Sequence, residues 1–205
     1  MEFLVRPEGQ PERLGILPGS FNPPTKAHLA LAAAALAEMD HVLLVLPRAF
    51  PHKNYDGASF GQRSRMLVAA VDRQPRLAAA ISEGGLFIEI AQECRAAYGP
   101  GVQLAFVCGR DAAERVVGWD YGKTNAINQM LETFQLLVAC RQGAYEPPAH
   151  LRQYIRALAL PADLNAVSAS DVRRRIRERA PWQHLVPDAI VPILNEMRGI
   201  YRPPA

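Results

Sequence analysis

Thr25 and His28 stand three residues apart at the front of an alanine-rich run, directly behind the turn Gly19-Ser20-Phe21. That spacing puts both on one face of a helix's first turn. Free backbone N–H groups at a helix start attract anions. A hydroxyl and an imidazole beside them could both point at a bound phosphate. Gly19 lets the backbone turn tightly and lets a ligand approach it. Pro23 and Pro24 suit the first turn of a helix. The chemistry this favours is capture of a nucleotide phosphate. The plainer alternative is Thr25 as a helix cap and His28 as a surface residue.

Such a site needs elements to hold it. Arg13 to Leu17 is a short apolar segment ending at Pro18-Gly19, which predicts a first strand. Ala27 to Met39 is nearly all alanine and leucine and favours helix. His41 to Leu46 is an unbroken β-favouring run, as in a strand buried on both faces of a parallel sheet. Further strands are expected at Leu77 to Ser82, Val102 to Cys108 and Phe134 to Cys140. Helices are expected at Gln62 to Arg73, Phe87 to Tyr98, Leu151 to Leu160, Asp171 to Arg179 and Asp188 to Met197. Strand and helix alternate, which predicts a doubly wound, mostly parallel α/β sheet with a small C-terminal helical part from about 166 to 205. Ligands in such sheets bind at the carboxyl ends of the strands. Gly19, Lys53, Gly109 and Arg141 all follow a strand, so glycines and cations collect on one edge.

Composition sets the bounds. A chain of 205 residues reads as a single domain and can bury about 70% of its unfolded surface. Hydrophobic residues make up 49% and charged residues 21%, as in a soluble globular protein. A net charge of +3 is too weak to argue for nucleic acid and fits anionic small molecules better. Cys94, Cys108 and Cys140 form neither a metal spacing nor a disulfide pattern, so reduced thiols in a cytoplasm are expected. Met1-Glu2-Phe3 does not open a secretory signal, and Leu29 to Ala37 is far short of the roughly 20 residues of a membrane span. No metal-ligating cluster is expected. Nothing in the sequence opposes an oligomer.

The stretch "GSFNPPTKAH" resembles the signature of the nucleotidyltransferase superfamily, a Gly-Ser/Thr-Phe-Asp/Asn-Pro turn followed by His/Thr-x-x-His. It is most similar to the nicotinate- or nicotinamide-nucleotide adenylyltransferase branch, where threonine at the first histidine position is familiar. The resemblance implies a Rossmann-like fold and extends over most of the chain. "FPHKNYDGASFGQRSRML" is similar to the family's Pro-His-Lys loop, which makes Lys53 a candidate for a β- or γ-phosphate. An ordinary exposed lysine is the alternative. "LAFVCGRDA" looks like the Gly-x-Asp turn that meets adenosine, with Gly109 and Asp111. Asp111 could accept from ribose hydroxyls or cap the next helix. "LLVACRQGAY" resembles the strand ending in an Arg-x-Gly turn near the adenine, which implicates Arg141. "VSASDVRRRIRERA" is similar to the Ile-Ser-Ser/Ala-Thr-x-x-Arg segment, which implies that Ser168, Ser170 and Arg173 hold the triphosphate. The neighbouring arginines read as a solvated face, or less favourably as a nucleic-acid face.

Two details complete the reading. "GWDYGKT" ends like a phosphate-binding P-loop but has three residues between Gly118 and Gly122 where that motif needs four. The resemblance instead makes Trp119 a candidate to stack on a pyridine ring, against a core or lid role. The family carries a Ser-Tyr-Thr turn after its third strand to seat the pyridine nucleotide. Here "ISEGGLFIEIAQE" puts Leu86-Phe87 in its place, so Gly84 and Gly85 are expected to offer backbone N–H groups to the acceptor. The implied activity is adenylyl transfer from ATP to a pyridine mononucleotide, with Mg²⁺ held mainly by the substrate phosphates. His28 would bind the α-phosphate, with Thr25 and the Gly19–Phe21 backbone cradling the same group. Another phosphate-ester acceptor, or nucleotide binding without turnover, are the alternatives.

Overall fold

The apolar run after His41 does what its composition asks: His41–Pro47 (β3) is buried from Val42 to Pro47. Leu43 and Val45 face one core, and Val42, Leu44 and Leu46 face the other. A strand buried on both faces needs helices above and below it. The computed structural model supplies them, and describes residues 1–49, 57–119, 122, 125–139, 145–159, 164, 166–197 and 199–201.

In chain order the remaining strands are Glu2–Val5 (β1), Arg13–Pro18 (β2), Leu77–Ser82 (β4), Gln103–Gly109 (β5), Gln135–Ala139 (β6) and Ile155–Leu158 (β7). The helices are Lys26–Ala35 (α1), Phe60–Val71 (α2), Phe87–Tyr98 (α3), Arg110–Gly118 (α4), Ala126–Leu131 (α5), Ala169–Glu178 (α6) and Val191–Glu196 (α7). The sheet runs β1-β4-β3-β2-β5-β6-β7. Every pairing is parallel except that of β1 with β4. The fold is therefore the doubly wound α/β sheet that the alternation predicts.

Two elements differ from the sequence reading. Leu151–Leu160, expected as a helix, holds the end of a short 3-10 turn at Ala149–Leu151 and then β7. Its residues favour helix in isolation, but β6 offers an open hydrogen-bonding edge, and the N–H of Leu136 donates to the Tyr154 carbonyl at 2.9 Å. Ile155 and Leu158 are buried by that pairing, so tertiary contact overrides local preference. Glu2–Val5 carries no alternation long enough to mark it, yet it caps the other edge of the sheet beside β4.

The topology places the site. The chain leaves β2, crosses through α1 and returns in β3 on one side, while β5 flanks β2 on the other. A crevice forms where the order reverses, outside the strands' carboxyl ends. Gly19 follows β2 there, and Gly109 closes β5 on the adjacent strand. The C-terminal helices add a third cluster, in which Val172, Ile176, Trp182, Ile190 and Tyr201 pack on Ala27, Met66 and Ala70. That packing brings α6 to the front of α1.

Candidate active site

Helix α1 begins at Thr25, whose extended backbone (φ −124°, ψ 165°) makes it the N-cap. His28 sits at the third helical position, where a capping box usually carries Glu or Gln. The Thr25 N–H donates to His28 Nδ1 at 3.0 Å. A backbone N–H can only donate, so Nδ1 accepts. A ring nitrogen that accepts carries no proton, so the imidazole is neutral and its proton sits on Nε2. The Thr25 hydroxyl lies 2.8 Å from the same Nδ1 and donates to it. Thr25 is fully buried. Its hydroxyl therefore serves His28 and does not itself reach a ligand, which corrects the expectation that both side chains point at phosphate. The pair yields an oriented Nε2–H donor at a helix N-terminus, and N–H groups there already favour anions.

The turn before the helix is strained and clamped. Phe21 has φ +46°, the left-handed region that bulky residues avoid. Such a residue costs about 1–3 kcal/mol and persists only where its surroundings over-determine it. Its ring is fully buried and lies 5.2 Å from the His28 ring, centroid to centroid. A Cβ on Gly19 would stand 3.0 Å from that ring, so Gly19 is glycine to admit Phe21, not a ligand. The Gly19 N–H donates to the Val45 carbonyl at 3.0 Å, so Gly19 shapes the turn without lending its N–H to phosphate. Pro23 and Pro24 precede the cap and do not fall in the first turn. The buried Arg63 guanidinium donates to the Ser20 carbonyl at 3.2 Å. Arg173 donates to the Asn22 carbonyl at 2.7 Å and to Ser170 Oγ at 3.2 Å.

Helix α6 supplies the second wall. Ser168 is its N-cap, and its hydroxyl accepts the Asp171 N–H at 3.1 Å. Ser170 and Arg173 stand three apart and meet. Asp171 takes both Arg174 and Arg175, and Glu178 takes Arg174, so the basic helix neutralises much of its own charge. The two guanidinium partners hold the Asp171 carboxyl below its ordinary pKa.

Across the crevice, α4 starts after Gly109, its N-cap, with Asp111 exposed in the first turn. Asp111 is thus inside the helix and does not cap it. It lines an open cavity of about 460 Å³ with Glu114, Arg115, Gly118 and Trp119. Trp119 is 46% exposed, so the core role is excluded and a flat aromatic face is presented to that cavity.

The turn after β4 overturns one expectation. The Gly84 N–H donates to Glu93 Oε1 at 3.0 Å, and the Gly85 N–H donates to Glu89 Oε2 at 3.0 Å. Leu86 N–H shares Glu89 at 2.9 Å, and Glu83 N–H reaches Glu93 at 3.1 Å. Gly84 and Gly85 therefore serve carboxylates of this chain and not an acceptor. A Cβ on Gly84 would come within 2.5 Å of the Glu89 Cβ, which is why a glycine is needed there. Burial acts to raise the Glu93 pKa, but the Gly84 N–H and the Met1 ammonium (3.1 Å away) bring it below the ordinary value.

A family model described as cytidylyltransferase-like matches residues 16–175. The chain belongs to the cytidylyltransferase-like family. A Bordetella petrii protein named "Probable nicotinate-nucleotide adenylyltransferase" is 33% identical over 93% of this chain and all of its own length. The Moorella thermoacetica protein of the same name is 29% identical over 95% of this chain and 94% of its own. The fold is similar to that of Plasmodium falciparum nicotinic acid mononucleotide adenylyltransferase, solved in complex with NaAD, with TM-score 0.70 at 14% identity over 92% of this chain and 98% of that one. The chain is a nucleotidyltransferase of the nicotinate-nucleotide adenylyltransferase group.

In this cytidylyltransferase-like chain the structure gathers Gly19, Ser20, Phe21, Thr25, His28, Ser170 and Arg173 around one turn. Gly109, Asp111 and Trp119 lie along α4. Gly84 and Gly85 are occupied elsewhere, and Lys53 and Arg141 lie outside the described residues. Two partners of the turn are not apparent from motifs, Arg63 and Tyr201; Asn22, which Tyr201 reaches, lies inside the quoted signature but carries no role there. Arg63 leaves a sign in the sequence, because it falls on the stripe of Met66, Leu67 and Ala70. An arginine on an otherwise apolar helical face must find carbonyls inside. Among the described residues no helix is long and apolar enough to cross a membrane.

Proposed function

We propose that the chain transfers the adenylyl group of ATP to nicotinate or nicotinamide mononucleotide, releasing pyrophosphate and forming the dinucleotide in NAD biosynthesis. The observation that carries this reading is the hydrogen bond from the Thr25 N–H to His28 Nδ1, which fixes an Nε2–H donor at a helix start beside the crevice. A mononucleotide phosphate oxygen attacks the α-phosphorus of ATP. The bond from that phosphorus to the bridging oxygen breaks, and pyrophosphate leaves with the electron pair. No covalent enzyme intermediate is needed, because orientation and charge stabilisation suffice for such a step.

His28 donates from Nε2 to the α-phosphate as charge develops. Thr25 holds the ring in the donating tautomer. Ser20 stands beside the same group, with Gly19 and Phe21 setting the shape of the turn. Ser168, Ser170 and Arg173 face the leaving β,γ-phosphates, which Lys53 also serves. Gly109, Asp111 and Arg141 take the adenosine side. The donor set at the turn is imidazole, hydroxyl and guanidinium, which suits anions. Mg²⁺ would be carried mainly by the phosphates. When bound, Mg²⁺ neutralises phosphate charge. Trp119 offers its face to the acceptor's ring, a contact worth on the order of 1 kcal/mol beyond burial.

A different phosphate ester as acceptor is favoured by one observation: the N–H groups of residues 83–86 already serve Glu89 and Glu93. The test is pyrophosphate release from ATP against a panel of acceptors. The two pyridine mononucleotides are expected to react, with a kcat/KM ratio below about a thousandfold, since few paired polar groups discriminate acid from amide. A larger ratio refutes the relaxed selectivity. No reaction with either, together with turnover of phosphopantetheine or a cytidylyl acceptor, gives the site to the other ester.

A further inference from the structure

We propose that Tyr201 is a positioning residue for the strained turn at Phe21–Asn22, and through it for the phosphate-binding end of α1; this rests on the adenylyl-transfer reading above. Tyr201 follows α7 and stands 179 residues from Asn22, yet its hydroxyl donates to Asn22 Oδ1 at 2.7 Å. An amide oxygen can only accept, so the direction of the bond is fixed. Both residues are only 4% exposed. Burial pushes the phenol's pKa up, against the pull of Arg173 and Arg63, so the hydroxyl keeps its proton and remains a donor.

The ring of Tyr201 does a second job. Gly57 lies in the connection from β3 to α2 and has φ +100°. A Cβ there would stand 2.7 and 2.8 Å from two Tyr201 ring carbons. The hydroxyl therefore holds the connection after β2, and the ring packs on the connection after β3. Both connections leave the carboxyl edge of the sheet, where the ligand crevice opens.

Asn22 is held at two atoms, its carbonyl by Arg173 and its amide oxygen by Tyr201. The neighbouring Phe21 has the positive φ, a conformation that survives only under outside constraint. Loss of one clamp lets the turn relax and moves the donors that follow it. Displacements of an ångström at such a site are felt in turnover far more than in folding.

The test is a double-mutant cycle on the full chain with Tyr201→Phe, Asn22→Ala and the pair. Tyr201→Phe keeps the ring over Gly57 and removes only the hydroxyl. If the hydroxyl acts through Asn22, each single variant lowers kcat about tenfold with KM values within about threefold, and the pair is no slower than the slower single. Effects that multiply overturn the proposal. So does a Tyr201→Phe rate within twofold of wild type, even with a lowered melting temperature. If Asn22→Ala does not fold, the Tyr201→Phe kcat decides alone on the same limits. The wild-type rate with nicotinate mononucleotide reports separately on the functional reading. Were it zero, the cycle would be read on ATP affinity by calorimetry. There each single is expected to weaken binding about two- to threefold and the pair no further. Unchanged affinity in the singles overturns the proposal.

Discussion

His28→Ala is expected to lower kcat by a hundredfold or more, because a preorganised donor to a transferring phosphate is worth about 3 kcal/mol or more. The same substitution removes the acceptor for the Thr25 N–H, and loss of such a helix-start bond costs about 1 kcal/mol of stability. His28→Gln separates the two roles. Glutamine at this helical position can still accept the Thr25 N–H, as in an ordinary capping box. It cannot place an imidazole Nε2–H. The melting temperature of His28→Gln should therefore stay close to wild type while turnover is lost. Steady-state rates and thermal melts of the two variants make the measurement. A His28→Gln enzyme keeping more than a third of the wild-type rate would sink the assigned role.

Arg173→Ala should reduce kcat/KM for ATP by at least thirtyfold, about 2 kcal/mol, the range for hydrogen bonds made by a charged donor. The guanidinium spans the Asn22 carbonyl and Ser170 Oγ, 2.7 and 3.2 Å away. Its loss frees the strained turn as well as the wall that faces the leaving phosphates. Arg173→Lys should recover little of this, since a single ammonium lacks the planar fork that reaches both partners. The KM of the acceptor should change less than that of ATP. Kinetics in which the acceptor's KM rises and that of ATP stays fixed would mean that the two subsites are reversed.

Much of this site could be read in the sequence, where residue type and local spacing decide the structure. The unbroken β-favouring run His41–Leu46 points to a doubly buried strand, and Ser168 three residues before Asp171 marks a helix start. Thr25 and His28 were likewise placed by spacing, though not oriented. Their mutual hydrogen bond makes one the support of the other, and spacing alone does not separate supporting from ligand-facing side chains. What the sequence hid depends on distant partners. Helix-favouring residues at 155–158 became a strand because β6 offered an edge. Gly84 and Gly85 lack side chains that would bar a ligand, but carboxylates from the next helix reach back to their N–H groups. Tyr201 carries no local pattern at all, and only the packing of α6 and α7 on α1 and α2 brings it to Asn22.

The central claim is that this site transfers the adenylyl group of ATP, α-phosphate included, to a mononucleotide. ATP labelled with ³²P at the α-position, incubated with Mg²⁺ and nicotinate mononucleotide, tests it in one chromatogram. The account predicts label in the dinucleotide, one pyrophosphate released per dinucleotide formed, and both formed at least about a hundredfold more slowly with His28→Ala. Label recovered only as ADP or AMP, with the mononucleotide unchanged, would contradict it.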